Sequence, residues 1–402
     1  MSSIESKDFE TVIVIRDDNK KYDIQLLRNI YTYGWSEMSL AQQTMLPKLI
    51  NKNDFDDVSF QYPSGMGKSG VYLLTLLYNL SREHNAVVGL IILPTRELAN
   101  QVYSDCCMLG KKLDINICKC IGQEPITEVN PNLPTIIIGT CGKVIDVMCK
   151  KKCAPLNQKC MLEYLVIDEA DNFICDTRNK NINNIETIIK TLCDNYTHVI
   201  TVSATFSENV RTFIRSRMMR KNNNNIEEYI DDSDVTLCGI QQYYIDLTDI
   251  SSKQNAFNAK IDTLLDIIPI IGLARGIVFV NSSYHANQVY DVLTQENYTC
   301  EIIYGKMTQE ERNAIMKKFT KSGSNFLIAT DLIARGIDFK DISYVVQLEL
   351  PINMEDYIHR IGRSGRYGKI GKAISIIHGK TEQNNLKLLT EQYQIDMQQF
   401  DI

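Results

Sequence analysis

The sequence has no apolar run long enough to cross a bilayer, and its first residues lack the apolar core of a secretion leader. These absences set aside membrane-embedded and exported classes and point to a reducing compartment. Basic residues are not in excess: 43 Lys and Arg stand against 49 Asp and Glu, a formal net charge of −6. A general electrostatic pull on polyanions is therefore excluded, and any such binding has to come from a local basic track. The 12 cysteines include no C-x-x-C pair. Cys149, Cys153 and Cys160 form one loose cluster and Cys118 and Cys120 another, with no histidine near either, so a structural zinc site is not expected. No low-complexity arm flanks the core, and the asparagine run at 222–225 reads as a solvated loop.

What is present is an ordinary folded composition, 44% hydrophobic and 23% charged, in a chain of 402 residues, too long for one typical core. Apolar runs recur in a strand-then-helix rhythm, which argues for mostly parallel sheets with helices on both faces. In the first half, strands are expected at 58–62, 87–93, 115–121, 135–138, 164–167 and 198–202. In the second half they are expected at 276–280, 300–304, 325–329, 344–348 and 372–377, with amphipathic helices such as 70–80 and 309–319 between strands. The rhythm lapses over 218–244, so the chain is read as two α/β domains, 1–235 and 236–402. The first twenty or so residues and the last few are expected to be mobile.

Two distant segments have phosphate chemistry written into them. Ser64-Gly65-Met66-Gly67-Lys68-Ser69 is a glycine-rich loop ending in Lys and a hydroxyl residue. Backbone N–H groups cradle phosphates there, the Lys meets their charge, and the hydroxyl suits Mg²⁺. Far downstream, Arg360, Arg363 and Arg366 lie in His-Arg-Ile-Gly-Arg-Ser-Gly-Arg, spaced to reach a triphosphate. Asp168-Glu169-Ala170-Asp171 follows the apolar strand Tyr164-Leu165-Val166-Ile167. A carboxylate ending a buried strand beside a phosphate loop suits Mg²⁺, and Glu169 suits the polarising of a water. The plainer reading, a surface acidic turn, is weakened by the buried strand before it.

With these residues the chain resembles the DEAD-box RNA helicases of superfamily 2, over almost its whole length. Pro94-Thr95-Arg96-Glu97-Leu98-Ala99 is similar to their motif Ia, and Ser203-Ala204-Thr205 to motif III. Thr330-Asp331 with Ala334-Arg335-Gly336-Ile337-Asp338 resembles motif V, and residues 359–366 resemble motif VI. Gly34-Trp35 leading to Gln42 resembles the Q motif. Within the family the likeness is closest to the initiation-factor-4A branch. The resemblance implies two tandem RecA-like domains and an RNA-dependent ATPase that locally unwinds short RNA duplexes, in translation initiation. An ATP-gated RNA clamp that unwinds little is the alternative, since it would use the same residues.

Carried over by position, the resemblance gives Gln42 to adenine and Ser64, Gly65, Met66, Gly67, Lys68 and Ser69 to the phosphates of ATP. Ser69 and Asp168 would serve Mg²⁺, Glu169 the water, Gly336 and Asp338 the nucleotide sugar, and Arg363 and Arg366 would act as arginine fingers. RNA would be held through phosphates and 2′-hydroxyls by Pro94, Thr95, Arg96, Gly122, Thr140, Gly142 and Lys143, and by Gln309, Arg312 and Thr330. Taken singly, each could be a helix cap or a solvated side chain. Ser203, Thr205 and His359 would couple the domains. The implied partners are single-stranded or short duplex RNA and a translation scaffold protein. A monomer in the cytoplasm is expected, the host's cytoplasm if the chain is viral, with no membrane. Tyr62 and Pro63 before the loop, Trp35 in the Q motif, Gly122-Gln123 for Gly-Gly and Thr140-Cys141-Gly142-Lys143 for Thr-Pro-Gly-Arg depart from the family pattern.

Overall fold

The structure is a computed structural model that describes residues 7–50, 56–126, 129–150, 159–175, 181–219, 224–229, 240–248, 256–272, 275–321, 324–331, 342–364 and 371–401. The chain forms two compact units, the first from Met1–Tyr62 and Met66–Tyr229, the second from Pro63–Gly65 and Ile230–Ile402. The domain boundary expected at 235/236 lies outside the described residues.

The first sheet has seven strands: β1 (Val58–Gln61), β2 (Ala86–Leu93), β3 (Asn116–Cys120), β4 (Thr135–Thr140), β5 (Lys159–Asp168), β6 (His198–Ser203) and β7 (Ile226–Glu228). Their order is β3-β4-β2-β5-β6-β1-β7, and all described pairings are parallel. A parallel strand needs a helical crossover, so both faces of the sheet become covered and its strands read as unbroken apolar runs. All eight residues of β2, Ala-Val-Val-Gly-Leu-Ile-Ile-Leu, are buried. Each large aliphatic side chain buried there contributes about 1.5–3 kcal/mol. That apolar scaffold, rather than the polar motifs, holds the strand ends in place.

The second sheet contains β8 (Ile240–Asp246), β9 (Gly276–Phe279), β10 (Cys300–Ile303), β11 (Phe326–Ala329), β12 (Tyr344–Gln347), β13 (Gly371–Ile377) and β14 (Gln398–Gln399). Their order is β10-β11-β9-β12-β13-β8-β14, again with parallel pairings. Every strand expected from the apolar rhythm is present. Three were not expected. β7 is a short polar edge, Ile-Glu-Glu, and β14 has only two residues. β8 falls where the rhythm lapses because it buries a glutamine, Gln242, whose Oε1 accepts from the Tyr357 hydroxyl at 2.9 Å.

In the described part of the N-terminal stretch, Phe9, Val12 and Ile13 are buried beside exposed neighbours such as Val14 and Ile15. Phe9 is fully buried and stacks on Trp35 with centroids 6.3 Å apart. Arg16 grips Asp23 through Nε (3.1 Å) and Nη2 (2.8 Å) and lies 3.8 Å over the Tyr78 ring. At the other end, the Phe400 N–H donates to the Tyr244 carbonyl at 2.9 Å. Aromatic rings supply the area that these polar-looking ends need to stay docked.

Candidate nucleotide and RNA sites

In a parallel sheet the polar loops gather beyond the carboxyl ends of the strands. The first sheet sorts them by neighbourhood. Neighbouring strands β5, β6 and β1 lead into Asp168-Glu169, Ser203-Ala204-Thr205 and the glycine-rich loop, with Asp168 level with Val202 and Gln61 level with Ser203. Neighbouring strands β3, β4 and β2 lead into Gly122, Thr140 and Pro94-Thr95-Arg96. Candidate phosphate chemistry thus lies on one half of the sheet edge and the candidate RNA residues on the other.

The glycine-rich loop turns through Gly65 (φ 85°) and Gly67 (φ 82°), both in the left-handed region that disfavours a side chain. A Cβ on Gly67 would lie 2.1 Å from the Ser39 Oγ. The helix Lys68–Asn79 follows, and the Lys68 Nζ donates to the Tyr62 carbonyl at 2.8 Å. The Tyr62 side chain is buried, its ring centroid 6.2 Å from that of Phe60. Gln42 belongs to a capping box: the Ser39 N–H donates to its Oε1 at 2.8 Å, while the Ser39 Oγ donates to the Met66 carbonyl at 2.8 Å. A Cβ on Gly70 would meet the Gln42 Nε2 at 2.2 Å and the Trp35 ring at 2.9 Å. The Q-motif residues are thereby seated against the first turn of the phosphate-loop helix.

Asp168 ends β5 in a buried position. Its Oδ2 accepts from the Tyr72 hydroxyl at 2.9 Å and its Oδ1 from the Glu169 N–H at 2.9 Å. Burial first, then the charge of Glu169, pushes the Asp168 carboxyl up to about 7 against the opposing pull of Lys68. Glu169 itself has φ 51°, rare for a residue with a side chain. Asp171 accepts from both hydroxyls of the third motif, Ser203 Oγ at 2.6 Å and Thr205 Oγ1 at 2.9 Å. Ser203 and Thr205 are thus brought onto Asp171.

On the other half of the edge, Arg96 donates to the Gln123 Oε1 at 2.7 Å, and a Cβ on Gly122 would meet the Arg96 Nη2 at 2.8 Å. Gln123 has φ 69°, a backbone shape suited to the glycine it stands in for. The Thr95 Oγ1 caps its helix by accepting from the Leu98 N–H at 3.2 Å. Thr140 is an N-cap without a side-chain cap bond. Gly142 is exposed, with nothing near its missing Cβ, and Lys143 is partly exposed.

In the second unit, Thr330 follows β11, and Gln309 and Arg312 lie on the helix Gln309–Lys321, capped reciprocally by Thr308 and Glu311. The Gln309 side chain and all of Gly336, Asp338 and Arg366 lie outside the described residues. His359 is on the helix Met354–Ile361, and the Arg363 Nε donates to the His359 carbonyl at 3.0 Å. Arg360 emerges as a clasp whose role the sequence did not disclose. Its guanidinium donates to Asp331 Oδ1 (2.6 Å), the Glu349 carbonyl (2.7 Å) and Asn281 Oδ1 (2.8 Å), joining segments that follow β11, β12 and β9. Arg360→Ala is expected to destabilise the second unit by about 3 kcal/mol, since it strips partners from several groups at once. Thermal melting of the parent and variant chains checks this.

A parallel α/β sheet with a glycine-rich loop after β1 and paired acids at the end of β5, the two strands separated by β6, has the arrangement of a P-loop ATPase. The DEAD/DEAH box helicase model matches residues 39–213, and the helicase conserved C-terminal domain model matches 259–368. Among curated proteins, the Kluyveromyces lactis protein named ATP-dependent RNA helicase eIF4A is 33% identical over 92% of this chain and 88% of its own length. The Saccharomyces cerevisiae protein of the same name is 31% identical over 91% and 87%. Among solved structures, S. cerevisiae Dbp5 bound to RNA and ADP BeF3 superposes with a TM-score of 0.83 at 28% identity, covering 98% of this chain and 96% of that one. Mss116p bound to ssRNA and AMP-PNP, at 23% identity and TM-score 0.79 over 99% and 82%, shares the fold. The chain belongs to the DEAD-box helicase family and is an RNA-dependent ATPase with RecA-like folds.

Proposed function

We propose that this ATPase separates short RNA duplexes locally, in the manner suited to translation initiation. The placement of the glycine-rich loop, Asp168-Glu169 and the third motif on adjacent strand ends carries this reading. ATP sits with its phosphates on residues 64–69 and its adenine at Gln42. Ser69 and Asp168 would hold Mg²⁺, and they fit such an ion: a hydroxyl and a carboxylate are hard oxygen donors, and the carboxylate is anchored beside the loop helix by the Tyr72 hydroxyl at 2.9 Å. Held there, Mg²⁺ would supply charge neutralisation on the phosphates. Glu169 orients and deprotonates the attacking water, and Arg363 and Arg366 meet the charge that builds up in transfer.

The Asp171 link to Ser203 and Thr205 passes the state of the Asp168-Glu169 turn to the neighbouring strand end. Grip on RNA comes from Arg96, Thr140, Gly142 and Lys143 in the first unit and from Gln309, Arg312 and Thr330 in the second. These contacts fall on phosphate and sugar, so the sequence of the strand matters little. Holding one strand bent removes its stacking on the other. That costs a few kcal/mol per step, within reach of a few charge-assisted contacts.

The test measures ATP hydrolysis with and without RNA, alongside displacement of a short labelled strand. RNA-stimulated turnover with ATP-dependent displacement is expected. Stimulated turnover without displacement, and with slow RNA release while ATP is bound, would replace unwinding by clamping. Arg363→Ala should lower RNA-stimulated turnover by about 10³-fold or more. Turnover equal to the parent's would remove the second unit's arginines from the chemistry.

A further inference from the structure

The helix Lys68–Asn79 is apolar along most of its length, and a phenylalanine at position 72 would fill the core as well as a tyrosine. Tyr72 is instead a fully buried phenol, and a buried hydroxyl costs stability unless it is bonded. The helix repeat decides where that hydroxyl goes. Tyr72 stands four residues after Lys68 and three after Ser69, which places all three on one side of the first turns. The Asp168 carboxylate, 96 residues further along the chain, receives the Tyr72 hydroxyl on Oδ2 at 2.9 Å.

The other carboxylate oxygen takes the Glu169 N–H. An ionised carboxylate has about four lone-pair sites. One donor on each oxygen therefore fixes the plane of the group and leaves one site on each oxygen open. That is what a metal-bound water needs. A carboxylate with only the backbone donor could still rotate about its Cβ–Cγ bond.

We propose that Tyr72 is a positioning residue that holds Asp168 in the orientation in which it receives Mg²⁺ with ATP, acting through the carboxylate and without touching the nucleotide. This rests on the reading of Ser69 and Asp168 given above. Groups that orient a metal ligand typically alter metal affinity by 10–100-fold when removed.

The experiment titrates Mg²⁺ into the full chain with a fluorescent ATP analogue and reads equilibrium binding, with a parallel series in EDTA. Tyr72→Phe, which deletes one oxygen and keeps the ring, should raise the Mg²⁺ concentration for half-maximal binding about 10-fold. Its affinity for the analogue in EDTA should equal the parent's. In the Asp168→Asn background the same change should add nothing to the Mg²⁺ requirement. An unchanged Mg²⁺ requirement, an equal loss with and without metal (as misfolding would give), or an additive effect in that background would each overturn the proposal. A parent chain whose binding ignores Mg²⁺ would overturn instead the metal reading on which it rests.

Discussion

Lys68→Ala is expected to lower ATP turnover by about 10²–10³-fold, the usual loss when one fixed charge or donor leaves a site where negative charge develops. The side chain is already placed and largely shielded, with Nζ on the Tyr62 carbonyl at 2.8 Å. A neutral acceptor of this kind is easily exchanged for a phosphate oxygen, since hydrogen bonds to ionised acceptors are about twice as strong. The same ammonium opposes the upward push that burial exerts on Asp168. Removing it therefore strips charge from the phosphates and leaves the Asp168 carboxyl higher still, and both effects disfavour hydrolysis. The competing account makes Lys68 a cap on the Tyr62 carbonyl, important only for folding. Phosphate-release rates and thermal melts, taken together, separate the two. A variant that melts early but turns over ATP within tenfold of the parent would sink the catalytic account.

Most of the scaffold was legible because burial on both faces leaves an unmistakable trace. β2 and β9 are short unbroken apolar runs, and strands of that kind announce themselves without any partner. β8 hid because its core positions include Gln242, whose burial makes sense only once Tyr357 is across from it. β7 and β14 hid because sheet edges need little apolar surface. The stacking of Phe9 on Trp35 was not legible because it joins residues with no common local pattern.

The candidate site divides along the same line. Contiguous motifs such as Ser64 to Ser69 declare their chemistry by composition. Tyr72 does not, because within an apolar helix a tyrosine reads as core. Only the juxtaposition of that helix with the end of β5 reveals its hydroxyl on Asp168. Arg360 was visible as one arginine among several, yet its bonds to Asp331, Asn281 and the Glu349 carbonyl make it a clasp, whereas Arg363 has its Nε on a backbone carbonyl of its own segment. Gly70 is likewise explained only by the approach of Gln42 and Trp35.

Glu169→Gln should separate RNA binding from hydrolysis. Glu169 adopts φ 51°, a conformation that costs a side-chain-bearing residue about 1–2 kcal/mol. Two backbone bonds hold it there: its N–H donates to Asp168 Oδ1, and its carbonyl accepts from the Asn172 N–H at 3.0 Å. Glutamine has the same shape and leaves both bonds intact, so the loop, Asp168 and the Asp171 link to Ser203 and Thr205 should persist. What is lost is the basic oxygen. General-base catalysis is worth about 10²–10⁴-fold, and turnover should fall by that much while ATP and RNA still bind. A complex that cannot reach ADP then keeps its strand. Labelled RNA should leave the variant many times more slowly than the parent with ATP present, and at the parent's rate with ADP. Release at the parent's rate in ATP, despite slowed hydrolysis, would show that RNA departure does not wait on the chemistry at Glu169, and the proposed link between cleavage and strand release would fall.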